Sequence, residues 1–147
     1  MADIARNRQA AYKYNFLEKW EAGLQLQGSE VKSLRNGGVQ LKDAFATVTN
    51  GEVWLHNMHI APYAPASREN HDPERSRKLL LHKGEIERLI GRIAEKGLTL
   101  IPTRLYWKNG RAKVEIALAR GKNVQDKRRY LKEKDARREI QQALQER

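Results

Sequence analysis

Residues 98–121 read LTLIPTRLYWKNGRAKVEIALARG, and the fold turns on what Asn109-Gly110 does in the middle of them. A two-residue Asn-Gly loop suits a type I′ hairpin, because both central positions need φ > 0 and these two residue types tolerate it best. Pairing outward from that turn sets Trp107 against Ala112, Leu105 against Val114, Thr103 against Ile116 and Ile101 against Leu118. One face of the hairpin is then almost wholly apolar. The other carries Arg104, Tyr106, Lys108, Arg111, Lys113 and Glu115. The two-residue period of a strand thus separates a core side from a solvent side rich in groups compatible with RNA.

The same signal recurs earlier at Asn50-Gly51, between the β-rich runs Phe45 to Thr49 and Glu52 to Asn57, with Val48 facing Val53 and Ala46 facing Leu55. Between the hairpins, Ile86, Leu89, Ile90 and Ile93 follow helical spacing and Gly97 stands where a helix would cap, which predicts an amphipathic helix over Gly84 to Lys96 lying on a sheet. Alternation at Tyr12, Tyr14 and Phe16, then Leu24 and Leu26 before the Gly28 break, predicts two further short strands. The segment Pro62 to Pro73 holds three prolines with Ser67, Asn70 and Asp72 and predicts an exposed loop. Short strands, Asn-Gly turns and one inserted helix point to a mainly β fold with flanking helices, a small closed or partly closed β-barrel. A ferredoxin-like sheet is the main alternative.

Lysine and arginine number 29 against 18 acids in 147 residues, a net charge of +11. Such an excess favours a polyanionic partner through counterion release, and nucleic acid is the leading candidate. An anionic membrane surface would attract the same charge, but no apolar run approaches the ~20 residues of a spanning helix. Met1 to Tyr14 lacks the apolar stretch of a signal peptide, and there is no cysteine; the chain reads as cytoplasmic, without disulfide or thiolate chemistry. From Arg120 onward there are ten basic and five acidic residues, a net +5, with few large apolar ones. The chain therefore divides into a core domain, 1–120, and a basic tail, 121–147. The tail's thin apolar set, Leu131, Ile140, Ala143 and Leu144, predicts disorder when free and helix when bound.

The histidines argue weakly for an enzyme. His56 and His59 fall on opposite faces of a strand, which is wrong for shared metal ligation, and no nucleophile motif accompanies His71 or His82. A ribonuclease using His71 or His82 with a lysine is the enzymatic rival; no cofactor and no metal is expected. Two other segments suit a polyanion. Gly28 to Gly37 (GSEVKSLRNG) sets Lys32 and Arg35 among hydroxyls between glycines, as a phosphate-contacting edge would, although a solvated turn reads equally well. Arg75 to Leu81 (RSRKLLL) joins Arg77 and Lys78 to three leucines, of which at least two are expected to be buried and the remainder free to press on unstacked bases.

Read in order, ARNR (5–8), NFLEKWEAGLQLQG (15–28), SEVKSLRNG (29–37), DPERSRKLLLHKGEI (72–86), GLTLIPTRLYWKNGRAKVEIALARGK (97–122) and QDKR (125–128) resemble the SsrA-binding protein family from about Ile4 to Arg128. The resemblance implies an oligonucleotide-binding-type closed barrel that clasps the tRNA-like domain of transfer-messenger RNA near its elbow. It implies no catalysis. It implies instead promotion of aminoacylation by alanyl-tRNA synthetase, delivery with elongation factor Tu, both engaged through the RNA, and trans-translation on stalled ribosomes.

By position the resemblance implies RNA contacts at Asn7, Glu21, Leu80 and Lys113. With the candidates read from the residues, Lys32, Arg35, Arg77, Lys78 and Tyr106, these form the expected RNA-binding set. Glu21 is the least intuitive, since an acid repels phosphate; it must accept a hydrogen bond from a base or hold a neighbouring cation. In the tail, Gly121, Lys122, Asp126, Lys127 and Arg128 match residues that in the family enter the small-subunit decoding centre against ribosomal RNA. Asn123 and Gln125 stand where members often carry lysine and histidine, so a stacking or protonated histidine is not available there.

Overall fold

Both Asn-Gly pairs turn the chain as their chemistry requires, with Asn50 and Asn109 at φ 52° and Gly51 and Gly110 at φ 74°. The computed structural model describes residues 2–63, 70–93 and 98–121. In chain order the elements are β1 (Ala2–Arg6), α1 (Ala10–Lys13), β2 (Tyr14–Leu24), α2 (Gly28–Arg35), β3 (Val39–Gln40), β4 (Phe45–Thr49), β5 (Glu52–His56), β6 (His59–Ile60), β7 (Arg77–Leu80), α3 (Lys83–Ile93), β8 (Leu98–Lys108) and β9 (Arg111–Gly121). Seven strands run in the order β1-β8-β4-β5-β7-β2-β9, and pairing of β9 with β8 closes the sheet on itself; β3 and β6 form a separate two-stranded ribbon. This is the closed barrel expected, not a ferredoxin-like sheet. The closed ring is β8-β4-β5-β7-β2-β9, which has no open edge of its own, and β1 joins it by pairing with β8 alone.

The barrel is filled by the inward residues of the alternating strands: Val53 and Leu55 of β5, Leu79 of β7, Leu100 and Leu105 of β8, and Val114, Ile116 and Leu118 of β9. The register of the first hairpin, Val48 to Val53 and Ala46 to Leu55, is as predicted. That of the second holds only near its turn. Trp107 pairs with Ala112 and Leu105 with Val114, but Arg104 meets Glu115 and Pro102 meets Ile116, so Thr103 is the extra residue of a bulge. Beyond it Leu100, not Ile101, pairs with Leu118. The physical reason is Pro102, which has no N–H to give a ladder and is accommodated in a strand beside such an irregularity. The bulge reverses the alternation. Ile101 thereby joins Ala119 and Ala10 in a second apolar cluster with Tyr14, Phe16 and Phe45 packed on it.

Three further expectations are corrected. The two short strands about Tyr12–Phe16 and Leu24–Leu26 are one strand of 11 residues, with Tyr12 in the preceding helical turn. A bulge at Leu17 lets β2 stay paired along β9. The glycine-bounded run 28–37 is a helix rather than a turn: the Gln27 side chain and the Glu30 carboxylate form a capping box, Glu30 accepting the Gln27 N–H at 2.9 Å. Its last turn ends at Gly37, whose φ of 74° a side chain would strain. The predicted loop is not wholly exposed, since His71 is buried between the Ser29 hydroxyl at 2.8 Å and the Ile60 carbonyl at 2.9 Å.

The inserted helix is found at Lys83–Ile93, and the predicted cap at Gly97 lies outside the described residues. Leu89 is fully buried, Ile86 and Ile93 pack against the core, and Ile90 faces solvent. No helix among the described residues is long and apolar enough to cross a membrane.

Candidate nucleic-acid interface

The outer wall formed by β2, β9 and β8 collects most of the charge that the hairpin pattern assigned to solvent. Pairing places Gly23 beside Lys113 and Lys113 beside Tyr106; one step along, Glu21 lies beside Glu115 and Glu115 beside Arg104. Two carboxylates directly opposite each other destabilise a sheet unless cations intervene. Here they do. Glu115 accepts from Arg104 Nε at 3.1 Å and lies 3.3 Å from Lys19 Nζ, while Glu21 accepts from Lys108 Nζ at 3.1 Å.

Tyr106 does not stand on the open wall as expected. Its residue is 2% exposed, roofed by the Arg104 guanidinium at 4.5 Å from the ring centroid, and its hydroxyl donates to Glu21 Oε2 at 2.5 Å. Burial first, and then the Glu21 carboxylate, push the phenol pKa up, so Tyr106 stays neutral and donating. The Tyr106 hydroxyl is in turn the main influence holding Glu21 below the ordinary carboxylate range, with Lys108 and Lys113 adding to it. Glu21 thus holds a neighbouring cation, the second of the two roles open to it on sequence grounds.

An open groove of about 800 Å³ adjoins this wall, its sides drawn from Glu21, Gly23, Leu80 and Lys113 together with Arg111 and Lys78. Leu80 is 51% exposed, whereas Leu79 is buried and Leu81 half-buried. Two leucines sheltered and one free is the division expected for the triplet. Lys78 forms an ion pair with Glu52 at 3.2 Å. α2 borders the groove through Val31 and carries Lys32 and Arg35 on its exposed side, Lys32 lying 5.7 Å from the Tyr63 ring centroid.

Arg77 is elsewhere. It is fully buried, its Nε donating to Glu30 Oε2 at 2.5 Å and its terminal nitrogens to the carbonyls of Met58 and Pro73. Arg75 donates to the other oxygen of Glu30. The cluster of cations read as an RNA grip is therefore half consumed in closing α2 onto β7. Desolvation pushes the Glu30 carboxyl up, but the donors Arg75, Gln27 N–H and Arg77 outweigh it and hold its pKa low. Asn7, likewise, uses its amide nitrogen on the Pro102 carbonyl at 3.0 Å and the Leu41 carbonyl at 3.4 Å, pinning the end of β1 to the bulged part of β8.

Of the tail candidates Gly121 is the exposed last residue of β9, paired with Tyr14; Lys122, Asp126, Lys127 and Arg128 lie outside the described residues, as do the predicted free and bound states of the tail. Three histidines have side-chain partners: His56 sits between the hydroxyls of Thr47 and Ser76, both at 2.8 Å, His71 between Ser29 and the Ile60 carbonyl, and His59 lies 3.6 Å from Glu74, while His82 is exposed. No group of three or more potential ligands able to hold a metal occurs among the described residues. The sequence reading missed Lys108 as a site residue. Its signal was present in the two-residue period, which puts it on the wall with Tyr106 beside the turn.

Fold and wall together define a closed antiparallel barrel whose cations are arranged by carboxylates beside a groove of mixed apolar and charged lining. The family model described as SmpB protein matches residues 4–146. Proteins named SsrA-binding protein are similar over nearly the whole chain. The one from Carboxydothermus hydrogenoformans is 56% identical over 96% of this chain and 95% of its own length. That from Aquifex aeolicus is 59% identical over 94% and 88%, and that from Bacillus cytotoxicus 58% over 98% and 93%. A solved structure described as "tmRNA-SmpB: a journey to the center of the bacterial ribosome" superposes with a TM-score of 0.70 at 50% identity, covering 84% of this chain and 87% of that one. The chain belongs to the SmpB protein family, a family of RNA-binding proteins and not of enzymes.

Proposed function

We propose that this protein binds the tRNA-like domain of transfer-messenger RNA through the β2–β9–β8 wall and its groove, and serves trans-translation on stalled ribosomes. The observation that carries the reading is the pairing of exposed Leu80 with Lys113 in one groove of a closed barrel, in a chain with a net charge of +11. An apolar surface beside a cation that makes no direct ion pair among the described residues offers one contact for a base and one for a phosphate. Glu21 orients Tyr106 and Lys108 behind them. Lys32, Arg35 and Lys78 extend the basic surface along α2 and β7, while Arg77 and Asn7 act by holding the elements in place.

The finer assignments follow from the same reading. Residues 1–120 hold the RNA and promote its charging by alanyl-tRNA synthetase and its delivery with elongation factor Tu. Residues 121–147, through Gly121, Lys122, Asp126, Lys127 and Arg128, enter the decoding centre of the small subunit. The protein acts in the cytoplasm, where ribosomes stall, and incomplete products are tagged for degradation. The test is to recover the tagged protein from its host's extract and sequence the RNA that accompanies it. Enrichment of transfer-messenger RNA over transfer RNA and ribosomal RNA is the expected result; a mixed RNA population in proportion to abundance overturns the assignment.

A further inference from the structure

Gly23 lies inside β2 and is not among the glycines of positive φ, which among the described residues are Gly37, Gly51 and Gly110. Backbone conformation therefore does not call for glycine here, and a strand interior is weakened by it. Space does call for it. A Cβ on Gly23 would lie 3.3 Å from Leu80 Cβ, 3.6 Å from Leu80 Cδ1 and 3.6 Å from Lys113 Nζ. These are its two cross-strand partners, Leu80 on β7 and Lys113 on β9. One row across the sheet thus reads leucine, bare backbone, lysine.

A glycine can serve to let a neighbour bury itself, but Leu80 is 51% exposed and gains no such shelter. What the missing side chain leaves is a flat notch with an apolar wall on one side and an ammonium on the other. The carboxylates around it are engaged: Glu21 by Tyr106 and Lys108, Glu52 by Lys78, and Glu85 by the His82 N–H at 3.1 Å. Lys113 and Arg111, by contrast, make no direct ion pair among the described residues. An apolar surface edged by positive charge that makes no direct ion pair among the described residues fits a nucleotide whose base has left its stack.

We propose that Gly23 is a specificity-determining residue of the RNA site, its absent side chain admitting the face of one unstacked base over the Gly23 backbone and against Leu80, with the adjoining phosphate at Lys113. The proposal rests on the RNA-binding reading above. A side chain at position 23 narrows the notch at Leu80 Cβ, which cannot swing aside, whereas the Lys113 ammonium can.

The experiment measures binding of the full chain to a transcript of the tRNA-like domain across a salt series, with thermal unfolding of each variant. Gly23→Ala is expected to weaken binding about tenfold through the lost base contact, with the slope of log K against log salt unchanged because no phosphate contact is removed. Its melting temperature should fall only slightly: the new Cβ, 3.3 Å from Leu80 Cβ, makes that neighbour give by a few tenths of an ångström, and alanine's better fit to a strand interior offsets part of the loss. Leu80→Ala should weaken binding similarly, and the double variant by less than the product of the two. A folded Gly23→Ala protein that binds within twofold of the parent overturns the proposal. So does a loss of melting temperature that adding Leu80→Gly, which removes the crowded Cβ, repairs together with the affinity, a result that would make Gly23 a spacer only. Should Gly23→Ala not fold, Leu80→Ala alone decides, because unchanged affinity there leaves the notch without a base contact. A parent chain that shows no preference for the tRNA-like domain over transfer RNA refutes the reading beneath, a result distinct from a parent that binds and a Gly23→Ala variant that binds equally.

Discussion

Arg77→Met separates the two lives that the sequence allowed Arg77. Methionine fills much of the same volume without charge, so what is lost is the donor set on Glu30, Met58 and Pro73. Breaking a buried ion pair by removing one partner costs about 3–5 kcal/mol, because the remaining charge is left desolvated. Glu30 keeps Arg75 and the Gln27 N–H, which places the expected loss near the lower end, about 3 kcal/mol. For a domain of this size each kcal/mol moves the melting temperature by roughly 4 °C, giving a fall of roughly 12 °C in a protein that still folds. Changing Glu30 to methionine as well should cost less than the sum of the single changes, since a buried pair replaced by apolar groups leaves no orphan charge. Calorimetry and urea unfolding measure this, and a salt series on RNA binding runs beside them. The salt slope of Arg77→Met should match the parent's. A variant that melts within about 3 °C of the parent while its slope falls by ~1 would mean that Arg77 grips a phosphate, and would refute its burial.

Lys113→Ala should do the reverse, leaving the melting temperature nearly unchanged while RNA affinity falls and the salt slope drops by ~1; an unchanged slope argues against a phosphate contact. Removing the residues after Arg120 should leave binding to the tRNA-like domain nearly intact and abolish tagging on stalled ribosomes in a reconstituted translation assay, and equal loss of both activities would sink the division of labour. Acid should unfold the protein partly through Glu30: its folded pKa lies below its ordinary 4.5, so the unfolded state binds the extra proton and the stabilisation, present above that value, is lost as pH falls through the depressed one. The acid limb of a stability-against-pH curve should therefore flatten in Glu30→Gln, and an unaltered limb would remove Glu30 from that account.

The barrel was legible because its two hairpins announce themselves by Asn-Gly and by alternation that needs only neighbouring residues to be read. The bulge at Thr103 was not read, although Pro102 marked it, since alternation extrapolates past any irregularity until a partner strand contradicts it. α2 escaped for a related reason. Its cap is Gln27, not one of the residues that usually open a helix, and the capping box works only because Glu30 also finds Arg75 and Arg77 some 45 residues away. The placement of the candidate residues was legible only in part. Exposure of a cation cannot be read from its own segment when the carboxylate that buries it comes from another, and Arg77 beside Lys78 shows both fates in adjacent residues. Tyr106 is the same case seen from the aromatic side, placed on the correct face by its period yet covered by Arg104 and Glu21.

Glu21 is the residue whose chemistry appeared to oppose the function. In the folded wall its carboxylate satisfies a hydroxyl that burial would otherwise leave unpaired, a loss of about 1–3 kcal/mol. It also fixes the end of Lys108, whose free side chain would surrender up to about 2 kcal/mol of rotamer entropy on meeting a ligand. The pair is electrically neutral at a distance, so the uncompensated positive charge beside it is that of Lys113 and Arg111, which make no direct ion pair among the described residues. An acid within a basic site need not weaken it when the acid is spent on holding its neighbours still. Glu115 does for Arg104 and Lys19 what Glu21 does for Tyr106 and Lys108, so these carboxylates fix the frame of the wall around Lys113 and Arg111, whose side chains are not held by direct ion pairs among the described residues.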